Sequence, residues 1–390
     1  MPSELTLRYG VNPHQQPARV YMTQGDLPFT VRNGRPGYIN LLDALNSWQL
    51  VRELSQALQM PAAASFKHVS PAGAAVATPL SEAERMACAV QDMALSPLAT
   101  AYARARGADR MSSFGDWVAL SEPCDLSTAE FLRREVTDGI IAPGYDEGAL
   151  QILSRKRGGN YCILEIDPSY VPDQIESRTV YGVHLEQRRN DAVIGPATFQ
   201  DIVTRERPLS PEAIRDLTVA TIALKYTQSN SVCLAYNGQV TGNGAGQQSR
   251  VHCTRLAATK SDLWFLRQHP VIEEFKFARG LSRADRNNAI DLFFGEDLSP
   301  AEERAWEAAF EVVPPRLSTQ ARREWLDQVT GVALSSDAYF PFRDSIDRAS
   351  RSGVRYVAQP GGSMRDADVV AACDEYGMVM ARTGLRLFHH

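Results

Sequence analysis

Lys67 and His68, in the segment SFKHVSPAGAA, set a permanent cation beside an imidazole. The apolar run AAASF before them reads as a short buried strand, so both residues stand at its carboxyl end, where open α/β sheets collect their ligands. Neighbours on a regular strand face opposite ways. Ser70–Pro71 breaks the strand at this point and lets both side chains reach one ligand. A nearby ammonium favours the neutral imidazole, which can accept a proton. A surface lysine next to a hydrogen-bonded core histidine is the plainer alternative, and residue types alone leave it open.

Four further segments carry polar groups in suggestive company. In RYGVNPHQQPA, Arg8 and Tyr9 offer a planar fork and a hydroxyl for a phosphate, although terminal segments are often only loose chain. KYTQSNSVCLAYNGQVTGNGAGQQSR supplies Asn230, a turn at Asn237–Gly238 and a glycine-rich stretch ahead of a helix, with Arg250 in its first turn. Gly242, Gly244 and Gly246 do not form G-x-G-x-x-G, because Gln247 interrupts the spacing, so no dinucleotide fingerprint is present. SSDAYFPFRDS gathers Tyr339, Phe340 and Phe342 beside Asp344, a wall suited to a flat heteroaromatic ligand and equally suited to core packing. The chain ends in RLFHH, with Arg386 before two histidines. A zinc deaminase needs H-x-E followed by P-C-x-x-C. His184–Leu185–Glu186 fits the first half, but Pro123–Cys124 lies upstream and brings no second thiolate, so no zinc is expected.

The elements that must position these residues follow from periodicity. Residues 40–58 place Leu41, Leu45, Trp48, Val51 and Leu58 on one helical face. LTVATIAL, Leu217 to Leu224, reads as a second buried strand delivering Lys225 and Tyr226, in parallel with Lys67 and His68. Segments 138–153 and 352–373 both read as strand, proline turn, helix. Two related halves are therefore expected, residues 1–205 and 206–390, with a helical insertion near 260–330 and a boundary in the charged, proline-rich stretch near 205–216.

Composition bounds the rest. At 390 residues the chain is long enough for two domains. Its 44% hydrophobic and 22% charged residues are those of a globular protein, and no apolar run is long enough to span a bilayer. The first residues carry no secretory pattern, so a cytoplasmic setting is expected. Six scattered cysteines without a CxxC pair predict core thiols, and a net charge of −5 argues against nucleic-acid binding.

Taken in order along the chain, RYGVNPHQ, SFKHVSPAGAA, MSSFGDWVALS, REVTDGIIAPGY, KYTQSNSV, GAGQQSR, SDAYFPFRD and RLFHH resemble the transformylase half of the AICAR transformylase/IMP cyclohydrolase family. The resemblance implies an α/β fold of two cytidine-deaminase-like α/β/α halves without zinc. It implies a homodimer with active sites at the interface, in some relatives supported by a monovalent cation. It also implies formyl transfer from 10-formyltetrahydrofolate to the amino group of AICAR, a step of purine biosynthesis. Catalysis falls on Lys67, His68 and Asn230; nucleotide contacts fall on Arg8, Tyr9, Gly115, Asp138 and Arg386. Folate contacts fall on Arg250, Tyr339, Asp344, Ser363 and Met364. Tyr339 stands where the family often has Phe, and Ser345 where Asn often follows the aspartate. The resemblance begins within the first ten residues, so ring closure is expected to need a separate cyclohydrolase. The rival readings are a zinc nucleoside deaminase, distinguished by bound metal, and a non-catalytic sensor of purine precursors or folate, distinguished by binding without turnover. A formate ligase is disfavoured by the lack of a P-loop.

Overall fold

The computed structural model describes residues 2–295 and 298–390; positions 1, 296 and 297, which fall in the expected first half and insertion, lie outside the described residues. Among the described residues, twelve strands form one continuous mixed sheet. Its middle consists of two antiparallel hairpins, Ala62–Phe66 with Pro71–Val76 and Val232–Tyr236 with Gln239–Gly244. They meet where Gln239 pairs with Ala75. On either side the sheet becomes parallel. Asp116–Leu120, Thr137–Ala142 and Cys162–Ile166 continue one flank, and Val332–Ser336, Val354–Gln359 and Val379–Arg382 the other.

The same order of elements thus occurs twice: helix, hairpin, helix, then three parallel strands. The leading helices, Tyr38–Leu58 and Pro211–Lys225, lie side by side on one face. Helices Pro97–Gly107 and Arg250–Leu266 cover the hairpins from the other. Strand alternation feeds both layers, since Ala62, Ala64 and Phe66 enter one core and Ala63 the opposite one. Among the described residues, three α-helices, one 3-10 helix and a small sheet lie between Arg250–Leu266 and Val332–Ser336, packed around Phe275, Phe293, Trp306 and Phe310.

The segment expected as a strand, Leu217–Leu224, is helical. Ser210 caps that helix through the Ala213 amide, and Pro211 occupies its first turn. Every residue from Asp216 to Lys225 is buried, so the segment shows no polar face and its β-branched residues mimic a core strand. Two glycines read as part of a loop, Gly242 and Gly244, lie in a strand. A Cβ on them would come 2.0 Å from the Ala257 carbonyl oxygen and 2.1 Å from that of Cys253, so they let helix Arg250–Leu266 press onto the sheet. Gly73 does the same against Ala105, at 2.0 Å.

Candidate active site

Strand directions bring several chain ends to one edge of the sheet. The Lys67–Ser70 turn closes the first hairpin there. The 228–231 loop enters the second hairpin, and Asp337 follows strand Val332–Ser336. The turn is tight: the Lys67 amide donates to the Ser70 carbonyl at 2.9 Å, and the Ser70 amide to that of Lys67 at 3.3 Å. His68 and Val69 both take left-handed backbone angles, φ 52° and 58°. This geometry suits Asn-Gly, and the corresponding turn of the second hairpin is Asn237–Gly238, φ 49° and 78°. A β-branched valine at positive φ is an outlier that costs about 1–3 kcal/mol.

Each turn is pinned by an aspartate that is the sixth residue of its half's leading helix. Asp43 accepts the Val69 amide at 2.7 Å; Asp216 accepts the amides of Asn237 at 2.9 Å and Gly238 at 2.7 Å. Burial raises the Asp43 carboxyl above its ordinary value, against the Val69 amide and the His68 ring, which favour its charged form. Lys67 donates from Nζ to the Phe114 carbonyl at 2.6 Å. The 113–116 loop is itself fixed by Arg106, which reaches the Ser113 carbonyl at 2.7 Å and Asp116 at 2.8 Å. Gly115, φ 75°, faces Asp138, whose carboxylate pairs with Arg157 at 2.9 Å. Lys67, His68, Gly115 and Asp138 therefore share one place.

Asn230 joins them through its loop, because the Gln228 amide donates to Ser70 Oγ at 3.2 Å. The loop is held by the wholly buried Asp337, which accepts from Ser229 Oγ at 2.6 Å and from the Ser231 amide at 3.0 Å. Arg250 closes this arrangement. Its Nη1 donates to Asp337 and to the Ser231 carbonyl, and its Nη2 reaches Asn230 Oδ1 at 3.2 Å. Arg250 is only 7% exposed, and its guanidinium acts as an internal clamp on the Asn230 loop. The carboxyl-terminal tail docks here too: Ser229 donates its amide to the His389 carbonyl and accepts the His389 amide on Oγ, both at 3.0 Å. Burial pushes the His389 imidazole below its usual value. Arg386 lies on that tail, exposed, with its guanidinium 4.8 Å from the Phe388 ring.

Other expected residues lie farther along this edge from Lys67. Tyr339 and Asp344 are exposed in the loop and helix start beyond Val332–Ser336; Ser363 and the fully exposed Met364 follow Val354–Gln359. These loops share the Lys67 edge, but four and five strands along it, roughly 19–24 Å at 4.8 Å per strand. Tyr339 and Phe342 are exposed, whereas Phe340 is in the core. Arg8 is exposed, 5.8 Å from the Tyr9 ring. His184 and Glu186 lie on an exposed two-stranded ribbon, Ile175–Val180 with Val183–Arg188. The six cysteines are buried and free, and among the described residues no group of His, Cys, Asp or Glu converges to hold a metal ion.

Sequence reading missed Asp43 and Asp337. An acidic residue on the apolar face of helix Tyr38–Leu58 was a usable signal for the first; Ser-Asp after a strand reads as an ordinary turn and hides the second.

The model of the AICARFT/IMPCHase bienzyme family matches residues 1–260. The bifunctional purine biosynthesis protein PurH of Roseobacter denitrificans is 32% identical over 392 residues, covering 99% of this chain and 60% of that protein. Its namesake from Cereibacter sphaeroides is 32% identical over 391 residues, covering 99% and 59%. The chain thus spans about 60% of the length of these relatives.

Proposed function

The chain belongs to the AICARFT/IMPCHase bienzyme family, and from that premise we propose that it is the formyl-transferring part: it moves the formyl group of 10-formyltetrahydrofolate to the amine of AICAR. The observation that carries this reading is the His68–Val69 turn. Its twin uses inexpensive Asn-Gly, so retaining Lys-His-Val in a left-handed turn points to a chemical demand on that edge. The acceptor amine is weakened by its conjugated carboxamide and must lose a proton as it attacks. His68, exposed beside Lys67, takes that proton, a role worth about 10²–10⁴ in rate. Negative charge grows on the formyl oxygen, where Lys67 or the Asn230 amide stabilises it; one such donor is worth roughly 3–4 kcal/mol. Arg8, Tyr9 and Arg386 hold the phosphate, while Gly115 and Asp138 shape the floor beside Lys67. Tyr339, Asp344, Ser363 and Met364 form the folate side.

On this reading the repeated element order corresponds to two deaminase-like halves dividing near residue 205, and the active protein is a homodimer. A dimer offers a way to unite the Lys67 group of one copy with the folate group of another. The test is turnover of purified protein with AICAR and 10-formyltetrahydrofolate, followed by tetrahydrofolate absorbance. His68→Ala should lower kcat at least about a hundredfold, whereas Arg8→Ala should mainly raise KM. The reverse pattern would sink the assignment of roles. AICAR binding without turnover in the parent protein would leave a sensor instead of an enzyme.

A further inference from the structure

On the face carrying the two leading helices, a cavity of about 590 Å³ opens between helix Tyr38–Leu58, the 170–172 segment and the 189–194 segment. This is the size of a drug-sized ligand site. Phe29, Trp48, Tyr170 and Tyr226 are among its walls, with aliphatic groups between them. Four charged side chains line it, and their partners decide what it would accept. Glu53 is already engaged by Lys225 at 2.7 Å and by the Tyr226 hydroxyl at 2.6 Å; Asp191 is held by Arg188 at 2.6 Å. The two arginines have looser partners. Among the described residues Arg52 donates only to the Tyr170 carbonyl, at 3.1 Å, and the buried Nε of Arg189 has no hydrogen-bond partner. Among the described residues neither forms an ion pair.

We propose that this cavity is a second ligand site, and that it takes a planar aromatic anion, with the ring stacked among Trp48 and Tyr170 and the acid group on Arg52 and Arg189. Flat rings pack against such walls in offset or edge-on arrangements, and a guanidinium matches a carboxylate through paired N–H donors. Nothing in this proposal requires formyl transfer.

The probe is 2-naphthoate, with neutral 2-naphthylmethanol as its isostere, each titrated into the full chain at low salt while tryptophan emission is followed. Trp48→Phe assigns the signal. Naphthoate should bind at least about tenfold more tightly than the alcohol, and the preference should vanish in the Arg52→Gln/Arg189→Gln double variant while alcohol binding persists. Ala57→Trp, which fills the cavity from its wall, should abolish both. Equal affinity for the two probes, a preference surviving in the double variant, or a signal unchanged in Trp48→Phe would each overturn the site. So would binding that weakens as protein concentration rises, since a second copy of the chain would then be covering the cavity.

Discussion

Replacing Arg250 with methionine separates a clamp from a ligand contact. Its guanidinium holds Asp337, the Ser231 carbonyl and Asn230 together, and Asp337 is wholly buried. Arg250→Met leaves that carboxylate with only Ser229 and Ser231 as donors. Breaking a buried ion pair by removing one partner costs about 3–5 kcal/mol. If the cost is spent on opening the loop, the Ser231 amide should exchange with solvent deuterium roughly two to three and a half orders of magnitude faster. Adding Asp337→Asn removes the stranded charge, so the double variant should recover about 1–3 kcal/mol relative to the sum of the single changes. The assay is native-state hydrogen exchange at residues 229–231, without folate or nucleotide. Exchange within threefold of the parent, combined with lost folate binding, would refute the clamp and return Arg250 to the ligand.

Three further outcomes follow from the same geometry. Gly242→Ala drives a Cβ to 2.0 Å from the Ala257 carbonyl oxygen and should cost about 1–3 kcal/mol or more, seen as a drop of several degrees in Tm; an unchanged Tm would show that the helix can move away freely. The Asp43 carboxyl is raised in the folded state, so its ionisation there opposes folding: stability is lost as pH climbs from the ordinary carboxylate value through the raised one, and the full loss persists above it. Asp43→Asn should therefore gain on the parent at pH 7 compared with pH 4, and urea midpoints differing equally at both would contradict this. The His389 imidazole is lowered, so protonation favours the undocked tail. Docking should be intact above the ordinary histidine value and weaken as pH falls through it, read as faster exchange of the Ser229 amide.

Much of the scaffold was readable because it obeys simple periodicity. Helix Tyr38–Leu58 turns one face to the core, and Ala62–Phe66 is a short apolar run stopped by Ser-Pro. The strand-turn-helix segments after Thr137 and Val354 carry their own proline punctuation. Helix Pro211–Lys225 was misread because burial on all sides erases the polar stripe that distinguishes helix from strand. The site divides in the same manner. Lys67 and His68 are conspicuous by type and place. Arg250 was visible as a cation, but its commitment to Asp337 depends on a pairing between residues 87 positions apart that local pattern does not encode.

The paired aspartate-pinned turns have a practical use. Because Asp43 and Asp216 perform one mechanical task on opposite edges, the molecule contains its own control experiment. Substituting Asn-Gly for His68–Val69 would make the turn of the first hairpin a copy of the turn of the second. The stability gained by that exchange would measure, inside a single chain, what holding Lys67 and His68 in place demands of the fold.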